Sequence, residues 1–272
     1  MSTNLSEKKQ LEQIITDKKI YPVYQPIVSL KTGEILGYEA LSRISLNSCT
    51  FNAEELFTYA KEYNCLWNLE YICRKKALKG VKDKTADKKL FLNVDPNIIK
   101  DLRFQTGMTL NYLNRYNISP DNIVFEVCER SDIKEIHLFH DVINHYKKQN
   151  YQIAIDDFGK GYADFNRIFF LHPEYVKLDI SLISNIDTDS VKCSMVEGLV
   201  KFFHSENICL IAEGIETMGE LTQLIHLGVD YGQGYFLAKP TEDLQELSDS
   251  LRITILNENS LFTKVCLMHI NS

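Results

Sequence analysis

Eight short β-rich runs are spaced along this chain: YPVYQPIV (21–28), EILGYEALS (34–42), KLFLNVD (89–95), NIVFEVCE (122–129), QIAIDDF (152–158), YVKLDI (175–180), ICLIAEGI (208–215) and YGQGYFL (231–237). Between most of them lie segments with helical spacing, such as 53–63, 131–149 and 181–205. Strands that alternate with helices pair in parallel, and eight of them imply closure into a TIM-like (β/α)8 barrel. The first two runs break the rhythm. Only KTGE separates them, a hairpin-length loop, so the first strand is expected to be antiparallel to the second.

A length of 272 residues suits one such barrel, which typically needs about 250. The hydrophobic fraction of 44% and charged fraction of 25% are those of a globular enzyme rather than a disordered or fibrous chain. A net charge of -7 argues against DNA binding through backbone neutralisation, though a small anionic ligand held by a few local cations is compatible with it. The polar N-terminus lacks a signal-peptide core, and no stretch reaches the roughly 18 apolar residues of a membrane span, so the expected location is cytoplasmic. Seven scattered cysteines, with no CxxC pair, read as reduced thiols and not as disulfides or a zinc site. The expected organisation is a helical lead-in over 1–17, one domain over 18–242, and an extension over 243–272. In that extension TEDLQELSDSL reads as a last helix, and RITIL and LFTKVCLMHI as two short strands around a turn. Its apolar character calls for packing on the barrel or on an unidentified protein partner.

Function is suggested by how the runs end. Nearly every one closes on a residue that can hold a cation or a phosphate: Glu39, Asn93, Glu126 with Glu129, Asp156 with Asp157, Lys177 with Asp179, Glu213 with Glu216, and Gln233. In an α/β barrel the C-terminal strand ends form one rim, where catalytic residues from different strands meet. That many carboxylates would repel one another and take up protons unless a counter-charge held them ionised. Oxygen ligands with no His or Cys among them point to Mg2+ or Mn2+. Adjacent Asp156 and Asp157 would face opposite sides of a regular strand. At a frayed strand end both can turn inward, one bridging two metals and the other holding the second, an arrangement suited to in-line phosphoryl transfer. Gly159 and Gly161 fit a loop that approaches a ligand closely.

The motifs YQPIVSLKTGEILGYEALSR (24–43), NVD (93–95), FEVCE (125–129), DDFGKGY (156–162), VKLD (176–179), AEGIET (212–217) and QGYFLAKP (233–240) resemble, in the same order, those of the EAL-domain cyclic-di-GMP phosphodiesterases. The resemblance implies a barrel with an antiparallel first strand, two metal ions and hydrolysis of cyclic-di-GMP to linear 5′-pGpG. It matches Glu39, Asn93, Glu126, Asp156 and Asp157 to metal ligands and Lys177 to the residue that orients the attacking water. Glu213 matches a general base or second-metal ligand, and Glu129 the residue that holds the 158–165 loop in its working shape. Arg43 matches a phosphate contact, with Gln25, Asp179, Glu216 and Gln233 lining the site. It also implies a homodimer. Cys128, Lys160, Ala163, Asp164 and Ile44 depart from the family pattern, and none of them removes a metal ligand.

Other readings compete with this one. A silent cyclic-di-GMP receptor, or a protein-interaction module, would be expected to have lost ligands or the loop glutamate, and this chain keeps them. Lys177 as a Schiff-base lysine is disfavoured because a lysine ringed by acids keeps its proton. His137, His140 and His145 read as solvent-facing residues of an amphipathic helix.

Overall fold

The computed structural model describes the chain apart from residues 1, 48, 83–86, 96–97, 99–100, 104–106, 129–142, 161–164, 166–167, 169–170 and 271–272, and apart from the side chains of 2–5, 128 and 263–270. Its elements in order are α1 (Ser2–Thr16), β1 (Ile20–Ser29), β2 (Ile35–Ile44), α2 (Ala53–Glu62), α3 (Leu66–Gly80), β3 (Lys89–Val94), α4 (Met108–Tyr116), β4 (Ile123–Cys128), β5 (Gln152–Phe158), β6 (Tyr175–Leu178), α5 (Ile180–Ile183), α6 (Ser190–Ser205), β7 (Cys209–Ala212), α7 (Met218–Leu227), β8 (Tyr231–Gly232) and α8 (Asp249–Ile270). The eight strands close into a barrel in sequence order. β1 is antiparallel to both neighbours, β2 and β8, and the remaining neighbours pair in parallel. The β1–β2 turn is closed by Gly33, at a φ of +69°, whose N–H donates to the Ser29 carbonyl at 2.9 Å.

Strand alternation divides the side chains into two sets. Ile27, Phe91, Val124, Ala154, Tyr175 and Ile211 fill the barrel lumen. Their neighbours Val28, Leu90, Leu92, Phe125, Ile153, Ile155, Val176, Leu210 and Ala212 face outward into the larger core beneath the helices. Phe91 and Phe125 are fully buried on opposite faces of the wall, each contributing about 2–3 kcal/mol of apolar burial. A third cluster, of Leu11, Ile14, Ile20, Phe51, Leu56, Ala60 and Leu69, packs α1 against α2 and α3.

The structure departs from the sequence expectations in three places. The 181–205 stretch is split, with a turn between α5 and α6 that Asp189 ends by capping the N–H groups of Val191 and Lys192. The last strand is only Tyr231–Gly232, because Gly234 enters a tight turn: a Cβ there would sit 2.1 Å from the Ile215 carbonyl oxygen. The third departure is the tail. Residues 242–248 are not helical, and 249–270 form one helix in place of the expected β-hairpin. Ile255, Glu258, Asn259 and Phe262 recur at helical spacing. Ile255 is fully buried, Glu258 lies 3.6 Å from His226, Asn259 donates to the Leu30 carbonyl, and Phe262 stacks on the His226 ring. Packing against α7 and the β1–β2 hairpin thus overrides the β-branched character of RITIL. Among the described residues, no helix is long and apolar enough to cross a membrane.

Candidate active site

The rim residues follow from the lumen by one step of alternation. Asn93, Glu126, Asp156, Lys177, Glu213 and Gln233 each stand two positions past a lumen-facing residue (Phe91, Val124, Ala154, Tyr175, Ile211 and Tyr231). On β1, which runs the other way, Gln25 stands two positions before Ile27 and pairs in register with Glu39 of β2. The polar layer therefore lies directly on top of the apolar one.

At its centre is Lys177, fully buried. Its Nζ lies 2.8 Å from Glu126, 2.8 Å from Glu213, 3.2 Å from Asp156 and 3.4 Å from Glu39. Burial works against its charge, but the four carboxylates hold its pKa well above the ordinary lysine value. The acids divide by environment. Burial, joined by repulsion from Glu39 and Asp156, pushes Glu126 well above the carboxylate range. Burial raises Asp156 against the pull of Lys177, and it raises Glu213 to about 8. Glu39 is buried too, yet it is lowered by Lys177 and by hydrogen bonds from Gln233 at 2.7 Å and Asn93 at 3.0 Å. Gln233 also donates to Gln25 at 3.0 Å. Asn93 is exposed, while Asp156, Asp157 and Glu213 are half-buried, so the layer opens to solvent on their side.

The paired aspartates are separated by a distortion of the strand. The β5–β6 register shifts between Ile155 and Phe158, and Asp157 has a φ of +59°. Asp156 thereby points at Lys177, and Asp157 lies close enough to raise its pKa. Asp157 itself pairs with Lys160 at 3.2 Å. Asp179 is buried and caps α5 through Ser181 N at 2.9 Å. Arg43 is half-buried at the end of β2 and donates to the Ser42 carbonyl, and Glu216 is exposed after β7. Neither is among the carboxylate partners of Lys177. Glu129 lies outside the described residues, as do His137, His140, Tyr162, Ala163 and Asp164.

The donor chemistry fits divalent cations. Glu126 Oε2 and Gln233 Oε1 are buried without a hydrogen-bond partner, and four carboxylates face a single ammonium. Among the described residues, no three acidic, His or Cys side chains converge into a ready-made cage. The carboxylates are arranged around the lysine instead.

Two further acids escaped the sequence reading. Glu70 of α3 is buried, accepts from Asp95 N at 2.8 Å and pairs with Arg74 at 3.2 Å, which braces the chain just after Asn93. Glu220 of α7 accepts three backbone N–H groups. The spacing Thr217-x-x-Glu220 is a capping-box signature and could have revealed the second of these.

Residues 8–240 match the family described as the EAL domain, and the chain belongs to that family. A standalone versatile EAL protein from Vibrio cholerae O395, solved in its c-di-GMP bound form, shares 33% identity with a TM-score of 0.75, over 84% of this chain and 95% of that one. The cyclic di-GMP phosphodiesterase PdeF of Escherichia coli K12 is 25% identical over 247 residues, 89% of this chain and 32% of that protein. The cyclic di-GMP phosphodiesterase RocR of Pseudomonas aeruginosa PAO1 is 26% identical over 222 residues, 80% of this chain and 56% of that protein. The chain thus spans less than two thirds of either enzyme.

Proposed function

We propose that the chain is a metal-dependent phosphodiesterase that hydrolyses cyclic-di-GMP to linear 5′-pGpG. The observation that carries this reading is the single buried ammonium of Lys177 within 3.4 Å of four carboxylates borne on, or just after, four different strands, β2, β4, β5 and β7. A purely structural lysine needs one such partner. Four leave a surplus of acidic oxygens, which divalent cations at a phosphodiester site would hold ionised.

Glu39, Asn93, Glu126, Asp156 and Asp157 would hold Mg2+ or Mn2+, expected as two ions, supplying Lewis-acid stabilisation of the charge that develops on the phosphoryl oxygens. Lys177 orients the attacking water. Glu213, 2.8 Å from Lys177, would accept the water proton once divalent cations hold it ionised. Water adds at one phosphorus, the bond to the ribose 3′ oxygen breaks, and that oxygen leaves as a hydroxyl, its proton balancing the one the water gives up to Glu213. Arg43, Gln25, Asp179, Glu216 and Gln233 line the nucleotide, and Glu129 orders the loop over it. The same reading includes a homodimer, to which the exposed Val191 and Met195 of α6 and Ile180 of α5 offer apolar surface.

The test is incubation of cyclic-di-GMP with the purified chain and Mg2+ or Mn2+, with the products resolved by chromatography. Linear pGpG that disappears on chelation supports the reading. Binding of the nucleotide without product would assign the chain to the receptor class.

A further inference from the structure

The loop that carries Glu213 is gripped from three sides. Glu213 N–H donates to the Leu178 carbonyl at 3.0 Å and Ile215 N–H to the Gln233 carbonyl at 3.1 Å, tying the loop to the ends of β6 and β8. Gly214, at a φ of +72°, lies flat against Ile180 of α5, where a Cβ would approach Cγ1 to 2.4 Å. The third grip is a side chain. Glu220, 4% exposed in the first turn of α7, accepts from Glu216 N and Thr217 N through Oε2 at 2.9 and 3.0 Å, and from Asn185 N through Oε1 at 2.9 Å.

Asn185 belongs to the turn after α5, and α5 begins immediately after the β6 end that bears Lys177 and Asp179. One carboxylate therefore joins the loop following β7 to the turn following β6. The two residues these elements present to the lumen, Glu213 and Lys177, stand 2.8 Å apart. A capping box alone would need only Oε2. The second oxygen, spent on a backbone N–H 35 residues away, serves no purpose within α7.

We propose that Glu220 is a positioning residue for the phosphodiesterase reaction, setting the separation of Glu213 and Lys177 by clamping the β6 and β7 loops together; this rests on the function proposed above. The Glu220 carboxylate is not among the partners of Lys177 and reaches the site only through the backbone N–H groups of Asn185, Glu216 and Thr217, so its effect is transmitted through backbone. Glu220→Gln is isosteric but sets an NH2 group against backbone N–H donors, which releases one loop. Glu220→Asp keeps the charge and shortens the reach.

Asp230, just before β8, provides a control at the other end of β7 from Glu213, accepting from Leu210 N at 2.8 Å and pairing with His204 at 3.0 Å. Asp230→Asn disturbs β7 far from the rim. The experiment measures kcat and KM for cyclic-di-GMP in wild type and the three variants, each well below its melting temperature, together with backbone hydrogen exchange. Displacement of a reacting group by about 1 Å can cost on the order of 10²-fold, so both Glu220 variants should lose roughly ten- to a hundredfold in kcat with KM little changed. Exchange should rise at 185 and 213–217. Asp230→Asn should keep its kcat while exchange rises at Leu210.

A kcat within about twofold of wild type in both Glu220 variants, or an equal loss in Asp230→Asn, overturns the inference. An inactive wild type would refute the phosphodiesterase reading instead; the clamp is then judged by exchange alone, and unchanged protection at Asn185 in both Glu220 variants refutes it. If Glu220→Gln does not fold, Glu220→Asp carries the same comparison.

Discussion

Replacing Lys177 by Met removes the one cation that four carboxylates share while keeping much of the side chain's volume. At an effective dielectric of about 20, each contact of 2.8–3.4 Å is worth about 5–6 kcal/mol of gross attraction, offset by desolvation of the same groups. The carboxylates cannot remain ionised together once the ammonium is gone, so they take up protons. The net cost is then that of breaking a buried pair, about 3–5 kcal/mol, equivalent to a fall in melting temperature of roughly 10 °C for a domain of this size. The penalty should be largest near pH 8, where protonation is hardest, and should shrink toward pH 5. Adding Mg2+ or Mn2+ should stabilise the variant more than wild type, because cations replace the missing charge, while turnover is lost. The assay is thermal unfolding of metal-free and metal-loaded protein at both pH values. A variant as stable as wild type at pH 8 without metal would show that the ammonium is not the counter-ion of this cluster, and the electrostatic account would be wrong.

Further outcomes follow from the same geometry. Glu213 has a folded pKa of about 8, above its unfolded value, so its contribution to stability is fully present below about pH 4.5 and lost as pH rises to 8. Metal-free protein should therefore melt lower at pH 8.5 than at pH 6, and divalent metal should reduce the difference; calorimetry reads both. Ca2+ should bind but support little turnover, because its longer bonds and looser geometry misplace the nucleophile, and equal rates in Ca2+ and Mg2+ would contradict this. Gly234→Ala places a Cβ 2.1 Å from the Ile215 carbonyl and should cost about 1–3 kcal/mol by denaturant titration, with loss of activity through Gln233. Ile255→Ala should cost about 2–4 kcal/mol, since Ile255 is a fully buried contact of α8.

What the sequence disclosed was governed by periodicity. Period-two alternation places Glu126 above Val124 and Lys177 above Tyr175, so both the barrel and its polar layer were legible as soon as nearly all of the eight runs were seen to close on polar residues. The antiparallel first strand was legible from the length of one loop. Contacts between segments distant in sequence were not. RITIL looks like a strand and is helix, because α7 and the hairpin bind one face of it. Nor does alternation show that Asp157 needs a positive φ to leave the strand, or that Glu220 reaches Asn185. Those features depend on loops brought together only when the barrel closes.

The central claim, that the carboxylate layer around Lys177 performs phosphodiester hydrolysis, is tested most directly by adding Mn2+ back to metal-stripped wild type and Glu39→Ala, and following cyclic-di-GMP and pGpG in the same samples. The account predicts metal-dependent pGpG from wild type and none from the variant. Tight binding of cyclic-di-GMP by wild type with no pGpG, at any metal concentration, would contradict it.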